Sequence, residues 1–318
     1  MIPARLVWPA AALLALAAGS LFTGVVDLGP GALRDPEALR LIWISRWPRT
    51  LAVLLTGASM AVAGLILQML ARNRFVEPAT AGTGQAAALG ILGVTLLWPG
   101  APLWAQMGLS SLAALVGSVV FLALIRQLPP TRPLLVPLVA LIYGGILGAG
   151  VDAIGWQFDL LQYVAIWTNG EFSGVMRGRY ELLWLTGALT LLAYLYADRF
   201  TIAGLGRDAA TGLGLNHGRV VAAGLLIVSI ATAVTVVTIG TIPFVGLVVP
   251  NIVSRMAGDN LRATLPGTAA FGAGLVLACD IAARLLRHPY ETPVGTIFGV
   301  VGAALFLWLL HAKPRHAR

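Results

Sequence analysis

The side chains able to do chemistry in this sequence are few, and their spacing limits what they can do. Asp280 and Arg284 stand four positions apart near the end of a long apolar run, where a carboxylate and a guanidinium on one helix face pair with each other. Glu291 lies just ahead of Pro293 and suits the electrostatics of a helix end. Asp152 and Asp159 sit together in a more polar stretch and are suited to line a vestibule. None of these carboxylates forms a paired acid–base site. His217, His288, His311 and His316 are spread over separate loops and a tail, too scattered to hold a metal. Cys279 is the single cysteine, which excludes a disulfide framework and a cysteine metal site. The single lysine, Lys313, falls in His-Ala-Lys-Pro, so the chain has no Gly-x4-Gly-Lys-[Ser/Thr] loop to cradle ATP phosphates. The sequence therefore predicts no catalytic residue, no metal and no cofactor.

Arginine is what remains. Arg46 and Arg49 flank Trp47-Pro48, and Pro48 disfavours a helix at Trp47, which predicts two guanidiniums on a short, stiff segment. Arg284 is expected on the same face. The guanidinium fork pairs bidentately with carboxylates, yet a long basic side chain also snorkels as a membrane anchor, and residue type alone leaves both readings open. A second constellation is the stretch Arg199–Arg219, with five glycines. Within it a short helix is predicted to start near Asp208, whose carboxylate suits a helix N-terminus, with Leu213 and Leu215 offering apolar contact. An ordinary flexible loop is the other reading. Asn73-Arg-Phe75 and Pro130-Thr131-Arg132 are predicted turns where the second and fourth apolar runs end.

The elements that position these groups are apolar throughout. Of 318 residues 58% are hydrophobic and 11% charged, with a mean hydropathy of +0.87; a soluble chain carries roughly twice that charged fraction. The net charge of +8 does not point to nucleic acid, because no basic run or aromatic-interleaved basic patch exists. Runs long enough to cross ~30 Å of hydrocarbon lie near Leu6–Val26, Thr50–Leu70, Ala79–Trp98, Gln106–Ile125, Leu134–Val151, Glu181–Ala197, Arg219–Ile239, Ile242–Ser254, Leu265–Ala283 and Val294–Leu310. The first is read as an uncleaved span, and the eighth, short and set between Pro243 and Pro250, as a helix buried in protein. Ten spans place both termini on one side. Setting them in the cytoplasm puts thirteen basic residues inside and eight outside, the bias that the positive-inside rule expects.

The expected fold is all-α, one polytopic membrane domain over 1–318. It has a cytoplasmic loop at 199–219 and an outer re-entrant or interfacial segment at 152–179. The blocks from span two to five and from seven to ten each open with a span leading to a proline-broken connection, at Pro78 and at Pro243, and start on opposite sides, as inverted repeats do. Small residues at four-residue spacing, such as Gly144/Gly148 and Gly295/Gly299, suit close packing in lipid.

Four stretches, in order, resemble the permeases of ABC importers for iron-siderophores, haem and vitamin B12. They are Arg46-Trp-Pro-Arg-Thr50 with Gly57, Gly64, Gln68, Ala71-Arg-Asn-Arg-Phe-Val-Glu-Pro78 and Ala81-Gly-Thr-Gly84; Leu205-Gly-Arg-Asp-Ala-Ala-Thr-Gly-Leu-Gly-Leu215; Gly240-Thr-Ile-Pro-Phe-Val-Gly-Leu-Val-Val-Pro250 with Gly258-Asp-Asn260; and Cys279-Asp-Ile-Ala-Ala-Arg284 with Glu291-Thr-Pro-Val-Gly295. The family commonly has Asn-Pro-Leu at Asn73-Arg74-Phe75 and Pro-His at Pro250-Asn251. These departures, with Thr168-Asn-Gly-Glu-Phe-Ser-Gly174, look like the branch serving catecholate-type siderophores.

The resemblance implies a type II ABC importer permease, a translocation subunit of the bacterial inner membrane. It further implies separate ABC ATPase subunits, a periplasmic or lipoprotein siderophore-binding protein, and a second permease subunit, with a related partner favoured over an identical copy. The cargo it implies is a ferric siderophore. Arg46, Arg49 and Arg284 would receive acidic residues of the binding protein. Gly206, Arg207, Asp208, Ala209, Ala210, Leu213, Gly214 and Leu215 would form the helix that docks on the ATPase. Asn73, Phe75 and Thr131 would form the cytoplasmic constriction. The competing reading is a secondary transporter driven by an ion gradient, whose signature is intramembrane carboxylates beside unwound helices; Asp280 is the best candidate and has Arg284 as a ready partner.

Overall fold

The computed structural model describes residues 4–24, 34–129, 135–178, 180–258 and 260–311, and among them it contains helices and turns and no strand. The helices are α1 (Ala4–Phe22), α2 (Pro36–Leu41), α3 (Trp47–Ala71), α4 (Thr83–Leu97), α5 (Leu103–Arg126), α6 (Leu135–Gln157), α7 (Leu161–Thr168), α8 (Leu183–Leu195), α9 (Ala197–Gly204), α10 (Arg207–Gly212), α11 (His217–Ile239), α12 (Val245–Ala257), α13 (Leu261–Leu285) and α14 (Val294–His311). Six helical stretches are long and apolar enough to cross a membrane, and shorter apolar helices stand at the other four expected spans. The protein is a multi-pass, all-helical membrane protein.

Local chemistry fixes the helix ends. Asn216 and Asn260 accept the backbone N–H groups of Arg219 and Ala263, which caps α11 and α13. Asp35 does the same for α2, with Pro36 in its first turn. α3 ends where Arg72 turns left-handed (φ 51°).

The order long, short, long, long occurs twice: α3, α4, α5, α6 with 25, 15, 24 and 23 residues, then α11, α12, α13, α14 with 23, 13, 25 and 18. This is the pattern of the expected repeat. In each copy the chain leaves the first helix, turns back into the bundle and starts a short helix among protein groups. The two starts meet. Glu77, fully enclosed between α3 and α4, accepts the N–H of Phe244 (2.8 Å) and of Leu247 (3.1 Å) at the beginning of α12. A helix N-terminus away from water needs such an acceptor.

α3 and α11 lie mostly inside the bundle, whereas α6 and α14 keep most of their surface exposed. Contact of α3 with α12 and α13 is backbone to backbone at glycines. A Cβ on Gly64 would sit 2.1 Å from the Gly246 carbonyl oxygen of α12, and one on Gly57 would sit 2.5 Å from the Gly272 oxygen of α13. Lipid gives helices no hydrophobic reason to associate, so closeness of this kind supplies the packing energy. α1 also belongs to the bundle, through Ser20, whose hydroxyl is 2.9 Å from that of Thr50 on α3.

Two expectations need adjusting. Asp152 does not begin a separate outer segment: α6 continues through it to Gln157 and stops only where Asp159 turns left-handed (φ 55°). One exposed carboxylate near a helix end does not break a helix. The span expected from Ala79 begins at Thr83, because 73–82 is turn rather than helix.

Placing a methyl group at Gly64 should cost more than about 2 kcal/mol through forced separation of α3 and α12. Gly64→Ala is therefore expected to lower the unfolding temperature in detergent clearly, while Gly93→Ala on α4, where nothing lies within 4 Å, leaves it unchanged.

Candidate docking, coupling and gate sites

Arg46, Arg49 and Arg284 come together at the end of the bundle where α3 begins and α1 and α13 finish, and all three are buried. Arg49 directs Nε (3.2 Å) and Nη2 (2.8 Å) to Asp280 Oδ1, and Nη1 to both oxygens of Glu291 (2.9 and 2.7 Å). Arg284 reaches the other Asp280 oxygen through Nη2 (2.5 Å) and also the Ser20 hydroxyl. Its Nη1 donates to the carbonyls of Ser20 and Thr23 at the end of α1. Arg46 donates to the Leu21 carbonyl at 3.0 Å. A carboxylate buried among apolar helices is tolerable only when paired and hydrogen-bonded, and Asp280, with no exposed surface, sits between two guanidiniums. The expected pairing of Asp280 with Arg284 is present. Glu291 does more than serve a helix end, because it closes the cluster from its rim.

The backbone around Pro48 differs from the expected stiff, non-helical segment. Helix runs without interruption from Pro36 to Ala71, with a π-turn at Ile42–Arg46 just before the proline. Proline has no N–H for the carbonyl four residues back, that of Ile44. The Arg177 N–H takes that carbonyl instead, at 3.0 Å. A donor from a distant loop thus lets the helix continue through a residue that local sequence reads as a stop. Beside this turn a cavity of about 170 Å³ is lined by all three arginines with Thr23, Ser173 and Glu291.

At the other end of the bundle the stretch 199–219 is largely helical. α9 runs to Gly204, Gly206 takes φ 111°, a value that favours glycine, and α10 follows over Arg207–Gly212. Ala210 is buried against the bundle, and Leu215 N–H returns to the Ala210 carbonyl (2.9 Å) as Gly214 turns left-handed. Arg207, Asp208 and Ala209 face outward. Leu205 and Leu213 are 60% and 64% exposed, one on each side of α10. The Arg72 guanidinium lies against Gly206, so the end of α3 touches the start of this loop.

The proposed constriction is nearby. Asn73 is buried and its Oδ1 accepts the Phe75 N–H (2.8 Å), which sets the turn after α3. The Phe75 ring meets Phe306 of α14 edge-on, centroids 6.1 Å apart. Asn251 Nδ2 donates to the Arg74 carbonyl at 2.8 Å, so two positions that depart from the family pattern touch each other. Asn73, Arg74, Asn251 and Gln68 line a cavity of about 430 Å³ between α3, α9, α12 and α13. Thr131 lies outside the described residues.

Glu77 was not singled out by sequence reasoning, though it holds the two halves of the repeat together. Its signal was present: the acidic residue of the segment between spans two and three, next to the proline that breaks the connection.

Removing the central charge leaves two guanidiniums buried without their shared partner. Asp280→Asn is expected to destabilise the protein by about 3–5 kcal/mol, seen as a large fall in the detergent unfolding temperature. Arg262→Ala, which breaks the exposed pair with Asp198 and the contact with the Tyr194 ring, is expected to change it far less.

Comparison with known proteins agrees with this architecture. Residues 10–312 match the model of the FecCD transport family. The petrobactin import system permease protein YclN of Bacillus subtilis is 41% identical over 307 residues, covering 96% of this chain and 97% of that protein. The ferric-anguibactin transport system permease protein FatD of Vibrio anguillarum is also 41% identical, covering 93% of this chain and 95% of its own. A solved structure of a metal-chelate type ABC transporter in an inward-facing conformation superimposes with a TM-score of 0.83 at 25% identity, covering 97% of this chain and 99% of that one. With the family model spanning nearly its whole length, the chain belongs to the FecCD transport family.

Proposed function

We propose that this chain is the permease subunit of an ABC importer that carries a ferric siderophore across the bacterial inner membrane. The observation that carries the reading is the near full-length 41% identity to permeases named for petrobactin and for anguibactin uptake. Both termini lie in the cytoplasm in this proposal, though the ends themselves fall outside the described residues. The basic bias supports this side, since Arg72, Arg126, Arg199, Arg207, Arg219 and Arg262 gather at the end where α3 stops.

Each site takes a role from that orientation. The cluster of Arg46, Arg49 and Arg284 faces outward and receives acidic side chains of a siderophore-binding protein. The loop 199–219 faces the cytoplasm, and α10 with Leu205, Leu213 and Leu215 docks in a groove of an ABC ATPase. Exposed leucines flanking a short helix in a basic surround favour an apolar groove with an acidic rim. Arg72 against Gly206 then passes motion of the ATPase to the end of α3 and to Asn73 and Phe75, the inner constriction. The outer stretch that follows α6 contributes α7 and the loop whose Arg177 N–H holds the Ile44 carbonyl just before Pro48. A second, related permease subunit packs on the exposed face to complete the pathway. Ion-gradient transport is less well supported, because Asp280 is fully engaged by two arginines.

Reconstituted with its ATPases, partner permease and binding protein, the chain is expected to accumulate a ferric catecholate in vesicles only when ATP is supplied. Uptake driven by a proton or sodium gradient without nucleotide overturns the proposal. The double variant Leu205→Ser, Leu213→Ser is expected to cut ATPase co-purification and stimulated hydrolysis by about tenfold, as loss of two exposed apolar anchors does. Undiminished stimulation refutes the coupling role of this loop.

A further inference from the structure

The Arg49 fork is already occupied, and the two occupants differ. Asp280 is rooted in α13, has no exposed surface and is shared with Arg284. Glu291 is 19% exposed, stands beyond the end of α13 in a non-helical stretch, and bonds only Arg49 among the contacts described. Arg49 Nη1 lies within hydrogen-bond distance of both Glu291 oxygens, while Nε and Nη2 are held by Asp280. A carboxylate arriving from outside therefore competes with Glu291 for Nη1. The backbone beside Glu291 is fixed independently: Thr292 N–H bonds the Ala283 carbonyl (3.2 Å) and Gly295 N–H bonds the Gly170 carbonyl (2.8 Å). The side chain can leave without unfolding the turn. Next to it lies the cavity of about 170 Å³ that Arg46, Arg49 and Arg284 share, with room for the departing or the arriving group.

We propose that Glu291 is a built-in stand-in for the acidic side chain of the binding protein, and that docking exchanges one carboxylate for the other on Arg49. This rests on the docking role proposed above for the arginine cluster. The exchange keeps the buried Arg49 guanidinium paired at every stage, while the carboxylate set free is the partly exposed one beside the cavity. It also sets the affinity low enough for release, since the ion pair made with the binding protein replaces one broken inside the permease.

The experiment measures affinity of the cognate binding protein for the assembled permease–ATPase complex in nanodiscs by surface plasmon resonance. Glu291→Gln weakens the internal competitor and is expected to tighten binding by about tenfold, while Arg49→Gln weakens it by at least about tenfold. Unchanged or weaker binding by Glu291→Gln, with Arg49→Gln impaired, overturns the exchange and leaves the docking role standing. If neither variant alters affinity, the docking role itself fails and the exchange with it. Should Glu291→Gln not assemble, Glu291→Asp keeps the charge but shortens its reach; tighter binding supports the exchange, and unaltered binding overturns it.

Discussion

A charge inside a lipid-embedded protein has no water to fall back on, so each must be matched by protein groups. The cluster of Asp280, Arg49, Arg284 and Glu291 is where this constraint shapes the structure most. Its members come from α3, α13 and the turn before α14, and the carbonyls of Ser20 and Thr23 bring in the end of α1. One buried carboxylate therefore fixes the relative position of three helices and a turn. The same cluster presents cationic edges to a cavity at that end of the bundle. The residues that hold this end of the bundle together are thus the same ones proposed to receive a partner.

Backbone groups follow the same rule. A helix that starts inside a bundle exposes N–H groups that nothing local can satisfy. Glu77 answers this for α12, and Arg177 answers the converse problem of the Ile44 carbonyl that Pro48 leaves open. In both cases the partner comes from a segment remote in sequence. The close glycine approaches of α3 to α12 and α13 bring these groups within reach. Packing and polar satisfaction are in this way one solution, since a methyl group at Gly64 would also pull the α12 N-terminus away from Glu77.

At the opposite end the same rule governs the turn after α3. The Asn251 amide of α12 holds the Arg74 carbonyl, and the Asn73 side chain accepts the Phe75 N–H. That turn aims Phe75 at Phe306 of α14, in the region of the proposed constriction.

The sequence by itself determined the ten apolar runs, the repeat of a long helix followed by a proline-broken short one, the short helix near Asp208, and the pairing of Asp280 with Arg284. Each follows from composition or from spacing of a few residues, where covalent geometry fixes who can meet whom. The Arg-Trp-Pro-Arg segment and the family resemblance drew attention to the three arginines, while residue type alone left their role open. Only the tertiary structure decided that they converge, that Arg49 is shared between Asp280 and Glu291, and that Pro48 lies within a continuous helix. Those outcomes depend on contacts between residues far apart in sequence, 231 and 242 positions for the Arg49 pairs and a distant loop for the Ile44 carbonyl, and no periodicity within a segment encodes them. Glu77 escaped notice for the same reason: the N–H groups it accepts, those of Phe244 and Leu247, belong to the other half of the repeat, and only folding brings the two breaks together.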